Sequence, residues 1–441
     1  MSATDAEEHS IGTCDNSVLK EYLLLKVPRL VLDLRPDSAF HQAHIASSYH
    51  ISSVLELKSR YSYLPPRNVP FLVIADQDQH QQVVEAFSST PSARLLFLSD
   101  STLPSSSEQQ ARKDGNPTQT LSSNAFFDAA QRLGLVRSSA SHRQRIASPP
   151  PSQSSDGHDI PELLFRPSNA VHRTVLNLEA NPHHDGAFRV LDLGCGAARD
   201  LAWILHGSRF RPSSRIWTGV GIDNWNAVLK RAQQLTQDLY LSPHQLVESP
   251  QAPSTTPLCE TLLWSKCSDD GFLEPLTGTG KGKPIRAASD NEQLWGEYLQ
   301  VGLAPLLPAT DSRQEKVSEQ AKFDLITCIR FHPRPLLPRL SHLVRIGGIV
   351  LLSHFVTLSD AEREVAIKAH PQATIDYDSP APEGRIQPGE VERLVDTWNA
   401  STAEPGLTWI IDSQRLEPIE DGRIIKSVVL RKVAVATAAA V

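Results

Sequence analysis

The hydrophobic positions of this chain fall into short continuous runs separated by helix-like stretches. Runs of this kind are typical of parallel strands, which are covered on both faces. In the N-terminal part they occupy residues 29–35, 70–75 and 93–98, and a helical pattern covers 79–87. Alternation of strands and helices predicts a small parallel α/β sheet.

A second and larger set of apolar runs begins near residue 190. Five of them predict buried strands, at 190–193, 216–222, 259–267, 322–329 and 349–355. Helical patterns lie before and between them; Ser168 is the predicted cap of the first, over 169–178. The last two runs, 409–416 and 424–433, flank the turn sequence Glu420-Asp-Gly422 and predict an antiparallel pair. The whole set predicts a second α/β domain.

A segment of different composition lies between the two sets of apolar runs. Ser-rich and Pro-rich sequence between residues 101 and 159 is typical of a linker, although 124–135 can form one amphipathic helix. The predicted organisation is therefore a domain over 18–100, a linker over 101–159 and a domain over 160–435. Two flexible segments are predicted besides: the N-terminal tail and an insert over 276–292. Helices are expected over 18–25, 338–344 and 386–394.

Size and charge narrow the function classes. The 441 residues suit about two or three domains, and 40% hydrophobic residues are enough for real cores. A net charge of −7 does not indicate nucleic-acid binding, although a local basic patch could still provide it. The longest apolar runs are too short for a membrane helix. The polar, acidic start and five scattered cysteines favour the cytoplasm, with the nucleus as the alternative, and predict no metal site.

The strand at 190–193 runs into the most informative motif of the chain, Asp192-Leu-Gly-Cys-Gly196, and a helical pattern follows at once. Glycines let the backbone approach a ligand closely, and a helix start points free N–H groups at it. Asp223 ends the next strand, where an acidic side chain suits ribose hydroxyls. These features predict an adenosine-containing cofactor bound across a βαβ unit.

The motif resembles motif I of class I S-adenosylmethionine-dependent methyltransferases, most closely the tellurite-resistance-type, small-molecule branch. Ala198 stands where that family usually has a third glycine. The resemblance implies a Rossmann-like methyltransferase domain with S-adenosylmethionine as cofactor. It further implies that Asp192 and the turn Gly194-Cys195-Gly196 line the methionine end and that Asp223 holds the ribose. By the same resemblance, Asn224 or Trp225 lies near the adenine, and Asp269, after the third strand, near its amino group.

The loop after the fourth strand, Arg330-Phe-His-Pro-Arg-Pro-Leu336, should face the transferred methyl group, because ligands bind at the carboxyl ends of such strands. It is similar to the Arg-Tyr-Leu-His-Arg-Pro-Leu sequence of small methyltransferases. His332 could act as a general base. Alternatively, Arg330 and Arg334 bind an anionic acceptor and no base is needed. A third interpretation is that His332 and the two arginines only cap or bridge surface elements. His354, near the end of the fifth strand, is a further candidate at the rim.

The N-terminal segment resembles a rhodanese domain through Val31-Leu-Asp-Leu-Arg35 and Phe40…His44-Ile45. The resemblance places a catalytic cysteine after the strand at 70–75, but Asp76-Gln-Asp-Gln-His80 stands there. Sulfur transfer needs a thiolate nucleophile. We therefore expect an inactive rhodanese-like module that serves as a scaffold or binds a protein partner.

The leading hypothesis is a methyltransferase whose acceptor is a small molecule, an RNA or a protein. The alternative is a non-catalytic interaction protein built from two degenerate enzyme folds. The departure at Ala198 and the irregular acceptor loop are the features that keep this alternative open.

Overall fold

The computed structural model describes most of both predicted domains. The described residues are 19–20, 22, 29–66, 69–99, 118–137, 163–180, 186–209, 211, 215–239, 241–242, 258–278, 285–286, 292–308, 318–401 and 406–435. The chain divides into two compact units. The first comprises Met1–Arg166 with Ser249–Thr255, and the second Pro167–Glu248 with Thr256–Val441.

A five-stranded parallel sheet forms the first unit, in the order β3-β1-β4-β5-β6. The strands of this unit are β1 (Val31–Asp33), β2 (His44–Ile45), β3 (Tyr49–His50), β4 (Phe71–Asp76), β5 (Ala93–Ser99), β6 (Thr118–Ser122) and β7 (Val136–Arg137). Its helices are α1 (Asp37–Gln42), α2 (Val54–Ser59), α3 (His80–Ala86) and α4 (Ser123–Arg132). Strands β2 and β7 form a separate antiparallel pair. The predicted strands at 29–35, 70–75 and 93–98 and the helix at 79–87 are confirmed.

Residues 118–137 differ from the linker expected there, since β6 pairs with β5 and α4 packs on the same sheet. Phe126 and Ala130 of α4 are fully buried in the core of this unit. The Ser-rich sequence on both sides of this short amphipathic helix led to the prediction of a linker, because composition averages over the whole segment. Of the helix expected over 18–25, only Leu19, Lys20 and Tyr22 are described, and these are helical. The expected N-terminal tail lies outside the described residues.

The second unit is built on a nine-stranded sheet in the order β12-β11-β10-β9-β8-β13-β14-β16-β15. Its strands are β8 (Phe188–Leu193), β9 (Trp217–Asp223), β10 (Cys259–Cys267), β11 (Leu273–Thr277), β12 (Ile285–Arg286), β13 (Phe323–Ile329), β14 (Val344–Phe355), β15 (Leu407–Pro418) and β16 (Ile424–Ala434). Its helices are α5 (Asn169–Glu179), α6 (Arg199–Ser208), α7 (Asn226–Asp238), α8 (Glu292–Gln300), α9 (Asp360–Ala369) and α10 (Glu390–Ser401). The predicted mixed α/β fold with a parallel sheet is confirmed.

The order of the central strands creates a switch point between β8 and β13. Strands β8, β9 and β10 follow one another outward in one direction, and β13 and β14 in the other, all parallel. Strands β16 and β15 finish the sheet antiparallel, as predicted. In such sheets the loops after the two central strands separate and leave a crevice. The glycine motif follows β8 and the Arg330 loop follows β13, so both predicted functional loops meet here.

Three segments differ from the sequence expectations. Of the insert expected over 276–292, the described residues include the end of β11 and all of β12, which pairs antiparallel with β11. Residues 279–284 and 287–291 lie outside the described residues. The helix expected over 338–344 is a 3₁₀ helix, Leu337–Leu343. The helix expected from residue 386 begins at Glu390, since Ile386 bridges to Val356 and Gly389 takes a φ of 70° that interrupts a helix.

Within the described part of the chain, no helix has both the length and the apolar character needed to span a bilayer.

Candidate functional site

The glycine loop makes a sharp connection from β8 into α6. The amides of Gly194 and Cys195 both donate to the carbonyl of Ile222, at 2.8 and 3.0 Å, which ties the loop to β9. Ala198 immediately precedes α6 with a φ of 57°, a left-handed conformation that glycine adopts more readily. The loop therefore keeps a left-handed residue at the position where the sequence departs from the three-glycine pattern.

Gly194 allows a second loop to approach. A Cβ at this position would lie 2.5 Å from Cγ of Phe331, in the loop after β13. Real Cβ atoms do not come this close to a ring, so any side chain here would force the two loops apart. Phe331 is half-buried and packs against the core of the unit. It joins the glycine loop to the Arg330 loop across the switch point.

Asp223 holds the glycine loop from the other side. Its Oδ2 accepts from the amide of Gly196 at 2.8 Å, and its Oδ1 accepts from the amide of Trp225 at 2.8 Å. Each carboxylate oxygen has two lone pairs, so both can still accept a further hydrogen bond. The end of β9 and the glycine loop thus form one hydrogen-bonded unit with an acidic group at its centre.

Two more carboxyl groups lie beside this loop; that of Asp192 is buried and that of Asp200 is half-buried. Asp192 is 3% exposed and accepts a 2.7 Å hydrogen bond from Oγ1 of Thr327 on β13. Burial raises the pKa of Asp192 to about 7, and the negative charge of Asp200 adds to the rise. Burial also raises the pKa of Asp200, whose Oδ1 accepts from the amide of Ser168, the observed cap of α5. Three carboxyl groups, those of Asp192, Asp200 and Asp223, therefore lie around the loop, and burial disfavours the charged form of the first two.

Of the residues expected near an adenine, Asn224 and Trp225 directly follow Asp223 and are exposed, whereas no contact joins Asp269 to the glycine loop in the described residues. Trp225 is 63% exposed, and Trp264 on β10 donates its indole N–H to the carbonyl of Asn224 at 3.0 Å. Asp269 is exposed in the turn between β10 and β11. In that turn, a Cβ on Gly271 would lie 2.1 Å from the carbonyl oxygen of Pro335, so this turn contacts the Arg330 loop. Cys195 is buried, and burial raises its thiol pKa well above the usual value.

On the acceptor side, Arg334 uses four of its five N–H groups. It donates to both oxygens of Glu390 and to the carbonyls of Glu383 and Arg385, at 2.6 and 2.7 Å for the carbonyls. These partners belong to residues 377–390, a segment that we call the strap. Arg330 makes an exposed ion pair with Glu420 at 3.0 Å. Both arginines therefore have carboxylate partners already, and Arg334 anchors the strap to the loop after β13.

Two histidines lie under the strap. Nε2 of His332 is 2.9 Å from Oε1 of Glu390, and Nε2 of His354 is 3.1 Å from the carbonyl oxygen of Gly384. Their rings stack at 5.6 Å with 19° between the planes. Burial and the neighbouring His332 lower the pKa of His354 to about 4. Hydrogen bonds from His332 and Arg334 hold the pKa of Glu390 far below its usual range despite partial burial.

The structure thus brings together Asp192, Gly194, Cys195, Gly196 and Asp223 at one loop, with Asn224 and Trp225 beside it. It also adds residues that the sequence did not assign to the site: Ser168, which was predicted only as a helix cap, Asp200, Thr327, Phe331 and Glu390. In the described residues, no group of three or more His, Cys, Asp or Glu side chains could hold a metal ion.

Comparison with known proteins gives one relative by sequence. No protein-family model matches the chain. An uncharacterized protein of Schizosaccharomyces pombe, UNK4.09, is 26% identical over 271 residues, which are 62% of this chain. The match spans 64% of the length of that curated relative.

Solved structures with some likeness include a SAM-dependent methyltransferase from Methanosarcina mazei. It is 13% identical, with a TM-score of 0.29, over 57% of this chain and 95% of its own. Another SAM-dependent methyltransferase, from Geobacter sulfurreducens in complex with S-adenosyl-L-homocysteine, is 13% identical with a TM-score of 0.27, over 56% and 67%. The [4+2]-cyclase SpnF is 9% identical with a TM-score of 0.32, over 60% and 81%. Such TM-scores do not establish a reaction for this chain.

Proposed function

We propose that the second unit binds S-adenosylmethionine at the glycine loop and transfers its methyl group to an acceptor at the Arg330 loop. The observation that carries this proposal is the set of carboxyl groups of Asp192, Asp200 and Asp223 around one loop. A pyrophosphate, the group bound by glycine loops of dinucleotide enzymes, would be repelled there. The sulfonium and ammonium groups of S-adenosylmethionine are positively charged and would relieve the repulsion.

The remaining parts of the loop suit the rest of such a cofactor. Asp223 has free acceptor capacity for ribose hydroxyls at the end of β9. The exposed ring of Trp225 offers a face on which an adenine can stack. When bound, S-adenosylmethionine supplies an electrophilic methyl group. The protein then has to bind the acceptor beside it, align the two and remove a proton where the acceptor carries one.

For the acceptor chemistry, the geometry favours His332 as a general base over Arg330 and Arg334 as an anion clamp. Glu390 holds the imidazole of His332 through Nε2, and such a carboxylate–imidazole pair fixes the ring and the position of its proton. The arginine charges are already compensated by Glu390 and Glu420. An anionic acceptor would therefore meet little net positive charge at this loop.

The alternative, a non-catalytic scaffold, rested partly on Ala198. The left-handed conformation of Ala198 counts against this argument, because the alanine takes the conformation for which the family uses glycine. Retention of Asp192 and Asp223 in hydrogen-bonded positions also favours a working cofactor loop.

We further propose that the first unit is an inactive rhodanese-like module that binds a protein partner. The motif that suggested it has a structural basis: Arg35 forms a buried ion pair with Asp33 at 2.7 Å and donates to the carbonyl of Ala43. No cysteine lies between Asp76 and His80, after β4. Thiosulfate sulfurtransferase activity of the full chain would contradict this assignment.

The cofactor proposal is tested by calorimetric titration of the full chain with S-adenosylmethionine. Binding should be lost in Asp223→Ala and kept in the matched control Asp412→Ala, which removes a carboxylate paired with Arg431 on β15 and β16. Transfer of labelled methyl groups from the cofactor to a cell extract then identifies the acceptor. A folded wild-type protein that does not bind the cofactor would exclude the enzyme and leave the scaffold.

A further inference from the structure

The tautomers of the two stacked histidines can be assigned from their partners. Nε2 of His332 faces the carboxylate of Glu390, and Nε2 of His354 faces the carbonyl oxygen of Gly384. Both partners can only accept a hydrogen bond, so each Nε2 carries a hydrogen. In the neutral ring this leaves a lone pair on each Nδ1. The strap therefore fixes two adjacent imidazoles with their basic nitrogens turned away from it.

Both Nδ1 atoms are buried, and neither has a hydrogen-bond partner among the described residues. The side chain of His332 is 5% exposed, and His354 is 8% exposed. A buried acceptor without a donor is destabilising, so such atoms are uncommon in folded proteins. Here two occur on neighbouring rings, at the carboxyl ends of β13 and β14, beside the proposed methyl-transfer site.

The charges around the pair indicate what kind of group would bind. Beside the rings, Arg334 and Glu390 form an ion pair, so their opposite charges largely compensate each other. The low pKa of His354 keeps that ring neutral at physiological pH. Two lone pairs in a buried, electrically neutral setting repel an anion and attract a hydrogen-bond donor.

We infer that His332 and His354 together bind an N–H or O–H group. An NH2 group can donate one hydrogen to each Nδ1, and the two Nδ1 atoms share the single hydrogen of a hydroxyl. This inference rests on the proposed function only in naming that group as part of the methyl acceptor. The acceptor is then an amine, amide or hydroxyl compound, and a carboxylate or thiolate is disfavoured. His354 is a positioning residue that shares the donor with His332.

Paired substitutions separate this role from simple anchoring of the strap. In His354→Gln the amide nitrogen can replace Nε2 and keep the bond to Gly384, but no acceptor remains at the Nδ1 position. In His354→Asn the amide oxygen can replace Nδ1, and the bond to Gly384 is lost. A binding role therefore predicts that Asn preserves function and Gln does not, whereas an anchoring role predicts the opposite order.

The probes are phenol and aniline, with anisole as a matched molecule that has no donor. Each is titrated into the full chain labelled with ¹⁵N-histidine, and the Nδ1 resonances of His332 and His354 are followed. We expect both to shift with phenol and aniline only. Affinity should fall about tenfold in His354→Gln and stay within about threefold in His354→Asn, the scale of one hydrogen bond. His370→Gln, a histidine bonded through Nε2 to the carbonyl of Leu416, is the control.

Three results would overturn the inference: the reverse order of Asn and Gln, equal binding of anisole, or ¹⁵N shifts showing a hydrogen on Nδ1 of either neutral ring. S-adenosylmethionine binding is measured on the same samples by calorimetry. Loss of cofactor binding with retained probe binding would reject the proposed function alone. Loss of probe binding with retained cofactor binding would reject the histidine site and would not contradict the proposed cofactor binding.

Discussion

The ring of Phe331 lies against Gly194 so closely that a Cβ on residue 194 would be 2.5 Å from Cγ of the ring. This single contact joins the cofactor side of the switch point to the acceptor side. It also gives Gly194 two separate reasons to be glycine, a left-handed φ of 71° and the absence of space for a side chain.

Gly194→Ala should therefore lose about 2 kcal/mol or more of unfolding free energy, from overpacking and from backbone strain together. Gly347→Ala is the matched control, because Gly347 has a φ of 82° with nothing within 4 Å. Chemical unfolding of both variants is measured, and the difference between their losses of unfolding free energy gives the contribution of overpacking. Adding Phe331→Ala to Gly194→Ala should recover that part only; no recovery would show that the ring contact is not responsible.

Ala198→Gly should change the unfolding free energy by less than about 1 kcal/mol although Ala198 is fully buried. Relief of the left-handed strain, about 1–2 kcal/mol, offsets the lost methyl group and the added chain entropy. Ala202→Gly, at a fully buried position inside α6, has no strain to relieve and should lose clearly more. Equal losses at the two positions would contradict the strain at Ala198.

Affinity for S-adenosylmethionine should rise with pH up to about 7. Asp192 attracts a cation only when ionised, and its pKa is raised to about 7. Below pH 6 the affinity should fall about tenfold for each pH unit, as expected for one linked proton. Calorimetry between pH 5 and 8 measures this slope. Asp192→Asn should bind more weakly with no such slope, and Thr327→Val should move the midpoint to higher pH, since the Thr327 hydroxyl stabilises the carboxylate.

The same carboxyl group should make the unliganded protein less stable as pH rises. Its folded pKa, about 7, lies above its ordinary value of 3.8, so the folded state binds the proton more tightly. The resulting stability is fully present below pH 3.8 and is lost as pH rises through 7. The difference in unfolding free energy between wild type and Asp192→Asn isolates this group from Asp200. A difference that does not vary with pH would contradict the raised pKa.

Arg334→Gln should destabilise the protein clearly more than Arg330→Gln. Arg334 loses two bonds to Glu390 and two to strap carbonyls, whereas Arg330 loses one exposed ion pair, worth about 0–1 kcal/mol. Thermal unfolding of the two variants provides the comparison. If Arg334→Gln proved harmless to folding but weakened acceptor binding, Arg334 would be an anion-binding residue after all.

The residues on the cofactor side of the site could be predicted from the sequence because they lie close together along the chain. Asp192, Gly194 and Gly196 lie within five residues, and Asp223 follows at the end of the next strand, so their proximity needs only a βαβ unit. Glu390 could not be found this way, because it lies 58 residues after His332 and reaches it through an irregular strap.

The role of Arg334 could not be predicted from the sequence either, because its partners also lie far away along the chain. An arginine beside a histidine in a ligand-facing loop suggests anion binding, and only its distant partners show that most of its donors are already used. Pairings of this kind depend on where the sheet edge brings loops together, which the hydrophobic pattern of a single segment does not determine.

The hydrogen bond between Thr327 and Asp192 spans 135 residues of chain. During synthesis on the ribosome, the glycine loop emerges long before the strand that completes it. Until β13 inserts beside β8, Asp192 has neither its hydroxyl donor nor its neighbouring strand, so a truncated chain that ends before β13 cannot assemble the cofactor site. Contacts this distant in sequence also form slowly. The loop that is easiest to recognise in the sequence is thus among the last parts of the domain to become functional.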